Sequence, residues 1–169
     1  MNIAWVTHEL VIDYRAREWC KLPYPNHPHG CPNYNHRATC PPEAPLIENF
    51  IDLSRPVLAV FCGFKLNEHI ERMHQKHPDW SERQLKCVLY WQGSVNKRLR
   101  DLAKLYSYTY ASSIYTLCPE AMGVNVIKTM KKVGLPIYPR PKDIVFKVGL
   151  IGQPSPQTVK QETAGALIE

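Results

Sequence analysis

Between residues 20 and 45 the chain carries Pro23, Pro25, Pro28, Pro32, Pro41, Pro42 and Pro45. Proline lacks the amide hydrogen that helices and inner strands use, and it fixes φ. The stretch is therefore predicted to be a loop. A structureless loop of this length inside a compact domain is usually functional or disordered. Cys20, Cys31 and Cys40 lie in it and favour order imposed by a ligand. Three cysteines of the chain are followed at once by proline: Cys31-Pro32, Cys40-Pro41 and Cys118-Pro119. With 15 prolines in 169 residues, chance supplies fewer than one such pair among six cysteines. Proline steers its predecessor away from helical geometry, so each thiolate is presented on a pre-shaped loop. Cys-Pro recurs at iron–sulfur ligands, as in the ferredoxin run that ends in Cys-Pro.

Cys20, Cys31, Cys40 and Cys118 are accordingly read as one metal site. Their spacing matches neither the paired knuckles of a zinc ribbon nor a ferredoxin run. Soft all-thiolate supply with Cys-Pro geometry leans to an iron–sulfur cluster, one [4Fe-4S]. Zinc remains open, because His27, His29 and His36 stand beside the cysteines and mixed Cys/His sites are tetrahedral zinc sites. So does a loop without metal. The histidines read first as simple loop polar groups, and in a sharper role as proton-transfer groups near the site. Cys62 lies in an apolar run and reads as a small buried hydrophobe. Cys87 falls on the flank of a predicted helix. Trp19 and Tyr34 are expected to pack over the site and govern solvent access.

The length fits one domain, assigned to residues 1–152, with a polar tail over 153–169. The longest apolar run, residues 57–64, is far too short to cross a bilayer, so no membrane role is expected. The first residues lack the basic and apolar regions of a secretory signal. A cytoplasmic location is the resulting expectation, and there cysteines serve metals or catalysis more than disulfides. The net charge of +6 favours anionic partners, whether a nucleotide, a nucleic acid or the cluster itself.

The predicted fold class is α/β: a small mixed sheet packed by helices, with the long Pro/Cys-rich metal-binding loop at one edge. Residues 4–12 offer an edge strand, and 14–19 could be helical. Leu46, Ile47, Phe50, Ile51 and Leu53 recur at helical spacing. Residues 57–64 suit a strand buried on both faces, and a short helix follows from Asn67 to before His77. Ser81-Glu-Arg-Gln84 is a capping box, with Trp80 and Leu85 as its hydrophobic staple. A single long helix is expected beyond it, burying Leu85, Val88, Leu89, Val95, Leu99, Leu102 and Tyr106. Lys86, Lys97, Arg100 and Lys104 share another face, either a solvated surface or a phosphate-facing stripe. Asn125 is placed to cap a helix over 126–133 that Gly134 ends, and residues 144–151 form the last strand.

Two blocks then resemble a known family. Cys31-Pro-Asn-Tyr34 with Cys40-Pro-Pro42 resembles a Cys-x2-Tyr-Gly…Cys-Pro-Pro loop. Pro119-Glu-Ala-Met-Gly-Val-Asn-Val126, with Thr129 and Gly134-Leu-Pro-Ile137, resembles a Glu-Ala-x-Gly-Ile-Asp-Val helix start and a Gly-x-Pro-Ile end. The pattern is that of a widespread, largely uncharacterised family of small predicted metal-binding proteins whose cysteine motifs suggest iron–sulfur ligation. The resemblance spans about Cys20 to Ile151. Asn35 stands where that family commonly has glycine, a mild change because asparagine tolerates the left-handed region. The family's second cysteine-rich stretch shrinks here to Cys118, so the resemblance implies one site at Cys20, Cys31, Cys40 and Cys118.

Two function classes follow. One is an iron–sulfur protein in redox or sulfur-related chemistry on a small or nucleotide substrate, with an electron donor as partner. The other is a zinc-stabilised basic module that binds nucleic acid through Lys86, Lys97, Arg100 and Lys104, assisted by Arg15, Arg17 and Arg37.

Overall fold

The computed structural model describes residues 2–24, 27–110 and 112–160. Four strands form one sheet: β1 (Ile3–Trp5), β2 (Leu58–Lys65), β3 (Ile114–Thr116) and β4 (Ile144–Gly152). Their order is β1-β2-β4-β3. Each of the three pairings is antiparallel, so the sheet expected as mixed is antiparallel. The long pairing of β2 with β4, from Leu58 opposite Ile151 to Lys65 opposite Ile144, is its spine.

Both faces of that spine are covered. Leu58, Val60, Cys62 and Ile151 pack with Trp91, Val95, Leu99 and Ala103 on one side. Ala59, Val148 and Leu150 pack with Ile47, Ile51, Met122, Val124, Val126 and Met130 on the other. Side chains alternate across a strand. A strand covered twice must therefore be apolar at every position, which is why residues 57–64 read as an unbroken run. The edge strands β1 and β3 have three residues each, which limits edge-to-edge association.

The helices are α1 (Ile47–Phe50), α2 (Leu66–Lys76), α3 (Glu82–Leu85), α4 (Gln92–Thr109) and α5 (Val126–Lys132). The capping box forms at Ser81 and Gln84. The single long helix beyond it does not: α3 ends at Leu85, and Cys87 is extended (φ −57°, ψ 122°) before a 3-10 turn at Val88–Tyr90. Burial explains the break. It turns Leu85, Cys87 and Trp91 inward together, which a continuous helix cannot do, and leaves Leu89 exposed. Trp91 stacks on Phe64 at 4.7 Å, and the buried stripe of α4 then runs at strict four-residue spacing through Val95, Leu99 and Ala103. Trp80 stacks on His77 at 4.0 Å and on Tyr90 at 5.2 Å.

Asn125 caps α5, accepting from the Lys128 amide at 3.0 Å, and Gly134 follows the helix at φ +82°. Residues 46–53 yield only the single turn α1. Residues 153–158 continue onto that turn: Pro154 bridges Ile51, and the Ser155 and Thr158 hydroxyls donate to the Asn49 carbonyl. The rest of the expected tail, 161–169, lies outside the described residues. Among the described residues no helix is long and apolar enough to cross a membrane.

Candidate metal centre

Cys20 is not in a loop. It lies in a 3-10 helix, Tyr14–Lys21, whose N-cap Asp13 accepts from the Arg15 amide. The Arg15 side chain bonded to Asp13 holds that carboxyl down at about 2. Just before this helix the chain pairs with the segment after Cys118. Asp13 N–H donates to Gly123 C=O and Asn125 N–H to Val11 C=O, both at 2.8 Å, with Ile12 bridging Val124. This pairing sets the helix bearing Cys20 beside the short 3-10 turn Pro119–Met122 that Cys118 opens. Gly123 makes the approach possible: its φ is +91°, and a Cβ there would lie 2.6 Å from Tyr14 Cδ1.

The proline-rich segment folds back on the same helix. Cys31 N–H donates to Cys20 C=O at 2.7 Å. Gly30, at φ +85°, permits it, because a Cβ there would stand 2.5 Å from Cys20 O and 2.8 Å from Lys21 Cα. Past Cys31, turns replace regular structure: Tyr34 N–H reaches Cys31 C=O at 3.1 Å, and Cys40 N–H reaches Arg37 C=O at 2.9 Å. Asn35, at φ +58°, occupies the left-handed region and donates to Pro41 C=O at 2.8 Å. Arg17 anchors the far side, donating to Pro42 C=O at 2.8 Å.

These links gather the four expected cysteines into one electrostatic neighbourhood. The Cys20 thiol is pushed up to about 11, first by burial and then by Cys31, Cys40, Glu120 and Cys118. Burial also raises Cys118, with Glu120, Cys40 and Cys31 adding to the rise and Lys147 opposing it. Cys118 reaches the surface on one side and is crowded by protein on the other; Cys20, Cys31 and Cys40 are half-buried. Among the described residues no group of three or more His, Cys, Asp and Glu is arranged to hold a metal ion.

Three neighbours escaped sequence reasoning. Burial first, and then the nearby Cys31 and Cys20, raise the Tyr24 phenol. Burial raises the Glu120 carboxyl, and Lys147 partly offsets this from β4. Glu120 stands directly after Cys118-Pro119, which was its available signal; Lys147 had none, because only strand pairing brings it near. Of the expected covering residues, Tyr34 carries the Lys21 ammonium 5.2 Å over its ring. The His27 ring packs tilted against Tyr24, with centroids 4.7 Å apart. Cys62 is buried, its thiol 3.6 Å from Val95 C=O, and Cys87 is buried beside the break after α3.

The basic stripe is divided. Lys86 belongs to the end of α3, not to α4, and pairs with Glu82; Lys97 pairs with Asp101 at 3.1 Å. Arg15 is held by Asp13. A cavity of about 210 Å³ lies between Trp5, Leu58, Tyr110 and Ile151, and an open one of about 450 Å³ is lined by Lys104, Ser112, Ser113 and Tyr115. No cysteine lines either. No family model, curated protein or solved structure matches this chain.

Proposed function

We propose that the protein binds one iron–sulfur cluster, a [4Fe-4S], through Cys20, Cys31, Cys40 and Cys118, and acts in redox or sulfur-related chemistry on a small or nucleotide substrate. The observation that carries this reading is the mutual influence of four thiols drawn from three separate segments of chain. Burial and like charge already oppose ionisation of Cys20 and Cys118. A cationic centre, such as a bound metal, stabilises thiolates crowded in this way. Four soft sulfur donors fit iron–sulfur ligation. The two motif blocks that resemble the predicted metal-binding family point the same way.

When bound, such a cluster supplies one-electron transfer, or Lewis acidity at an iron whose protein ligand is exchangeable. The chain's own residues do the rest. Tyr24 lies near Cys31 and Cys20, where its hydroxyl is placed to act on the sulfurs, and hydrogen bonds to ligand sulfurs tune a cluster's potential. Burial raises the Glu120 carboxyl two residues after Cys118, so it takes up a proton more readily than an exposed carboxylate does. Lys147 brings positive charge to the same corner. The pairing of Lys86 and Lys97 with carboxylates weighs against the phosphate-facing stripe of the zinc-module alternative.

Anaerobic purification with iron, acid-labile sulfide and zinc analysis tests the reading. Matching iron and sulfide with broad visible absorbance is expected. A colourless protein with zinc alone, or a folded protein that takes up no metal on reconstitution, would overturn it. Cys20→Ala then separates two arrangements: an exchangeable position keeps the cluster spectrum, and a four-thiolate site loses or converts it.

A further inference from the structure

We infer that Cys20 and Cys31 form a disulfide in the metal-free protein, and that closing it blocks loading of the site. The second half rests on the reading of these residues as ligands; the first does not. Cys31 N–H donates to Cys20 C=O at 2.7 Å, and no other two cysteines share a backbone hydrogen bond among the described residues. Standard backbone dimensions across one such bond keep the two α-carbons within about 6.6 Å, inside the range of roughly 4.4–6.8 Å that a disulfide spans. The approach is tight: at position 30 even a methyl group would meet the Cys20 and Lys21 backbone. Both thiols are half-buried, so a small reagent reaches them.

The oxidant is a low-molecular-weight disulfide. One cysteine, as its thiolate, attacks a sulfur of glutathione disulfide, forming a mixed disulfide and releasing one glutathione thiolate. The second cysteine, as its thiolate, attacks the protein sulfur of that mixed disulfide and releases the other glutathione. Two protein thiols are oxidised, the reagent is reduced by two electrons, and the two protons pass to the two glutathione thiolates. The product removes two of the four proposed ligands at once.

The test uses the full chain, reduced and freed of metal with a chelator, then treated with glutathione disulfide. Tryptic cleavage after Arg17, Lys21 and Arg37 puts Cys20 and Cys31 on separate peptides, 18–21 and 22–37. Non-reducing mass spectrometry is expected to find these two joined, with two fewer alkylatable thiols. Cys40→Ser is expected to leave the link intact, while Cys20→Ser and Cys31→Ser each stop at a mixed disulfide. Iron and sulfide are expected to enter the oxidised protein only after a thiol reductant is added. A link between any other two cysteines, or persistent mixed disulfides in the unmodified chain, overturns the pairing. Equal loading of oxidised and reduced protein overturns the block. A chain that forms the link but takes up no iron when reduced refutes the metal reading and leaves the pair standing.

Discussion

Replacing Gly30 with alanine tests the contact on which half of the site depends, and Gly134→Ala is its internal control. Both glycines have φ near the same value, +85° and +82°. Their surroundings differ: a Cβ at Gly134 meets nothing within 4 Å, whereas at Gly30 it meets Cys20 O at 2.5 Å and two Lys21 backbone atoms at 2.8 Å. The left-handed conformation costs alanine about 1–2 kcal/mol. A stiffer unfolded chain returns about 0.4–1 kcal/mol. Gly134→Ala is therefore expected to cost about 1 kcal/mol. Gly30→Ala carries the same strain and must also push apart two backbone segments, breaking the Cys31–Cys20 hydrogen bond. A lost bond with a half-buried amide left behind adds about 1–3 kcal/mol, giving about 2–4 kcal/mol in all. Urea titration of the reduced, metal-free protein reads the difference. At an unchanged slope of about 1–3 kcal/mol per molar, the Gly30→Ala midpoint is expected about 1 M below that of Gly134→Ala. Equal midpoints would refute the reasoning, because they would mean that the segment around Gly30 is not folded onto Cys20 as a cooperative part of the domain.

Other outcomes follow from single groups. The Cys20 thiol rises from an ordinary 9.0 to about 11. The folded state thus holds its proton more tightly, and the metal-free protein is expected to keep this contribution below pH 9 and lose it between pH 9 and 11. Urea midpoints across that window should fall less steeply in Cys20→Ser; an unchanged slope would count against the buried thiol. His69 behaves in the opposite sense, because burial first and then Arg72 lower it from 6.5. Its contribution is complete above pH 6.5 and declines as pH falls below, and thermal unfolding of His69→Leu is expected to show a weaker acid loss. Asn125→Ala removes the cap on the Lys128 amide and is expected to cost about 1 kcal/mol in denaturant unfolding.

Much of this fold was legible because local signals and burial agreed. The strand expected over 57–64 is Leu58–Lys65, and the one expected over 144–151 is Ile144–Gly152. Asn125 and Gly134 bracket α5 as their chemistry demands. The helix after Ser81 failed where the two diverged. Local propensity allowed it to continue, but burying Cys87 and Trp91 required an extended residue between two helical turns. The sheet was misjudged for a related reason, since strand order and direction depend on pairings between distant segments. Three of the four cysteines expected at the site carry the local Cys-Pro signal, and Cys20, followed by Lys21, does not. Their meeting was expected from the metal reading, but the pairing of residues 11–13 with 123–125 that sets Cys20 beside Cys118 was not legible, because those stretches are too short to carry any periodic pattern.

That pairing also divides the site into parts of different cost. Cys20 and Cys31 are joined by one direct backbone bond, and Cys40 follows through short turns, so these thiols approach with little loop entropy to overcome. Cys118 arrives only after β2, α4 and β3 have been laid down between them, since its turn is positioned by β3 on one side and by residues 11–13 on the other. A metal bound to the first three thiols would stabilise a local loop alone. One bound to all four ties that loop to the sheet, and its binding energy becomes folding energy for the junction of residues 11–13 with 123–125. The choice between an exchangeable and a closed Cys20 is therefore also a choice about stability. An exchangeable Cys20 leaves Cys31 and Cys40 as the ligands that connect the proline-rich segment to Cys118, while the helix bearing Cys20 stays tied to the site by the Cys31 bond and by Arg17 on Pro42. Two protein ties independent of the metal already hold that helix, so ligand exchange at Cys20 does not require the fold to open.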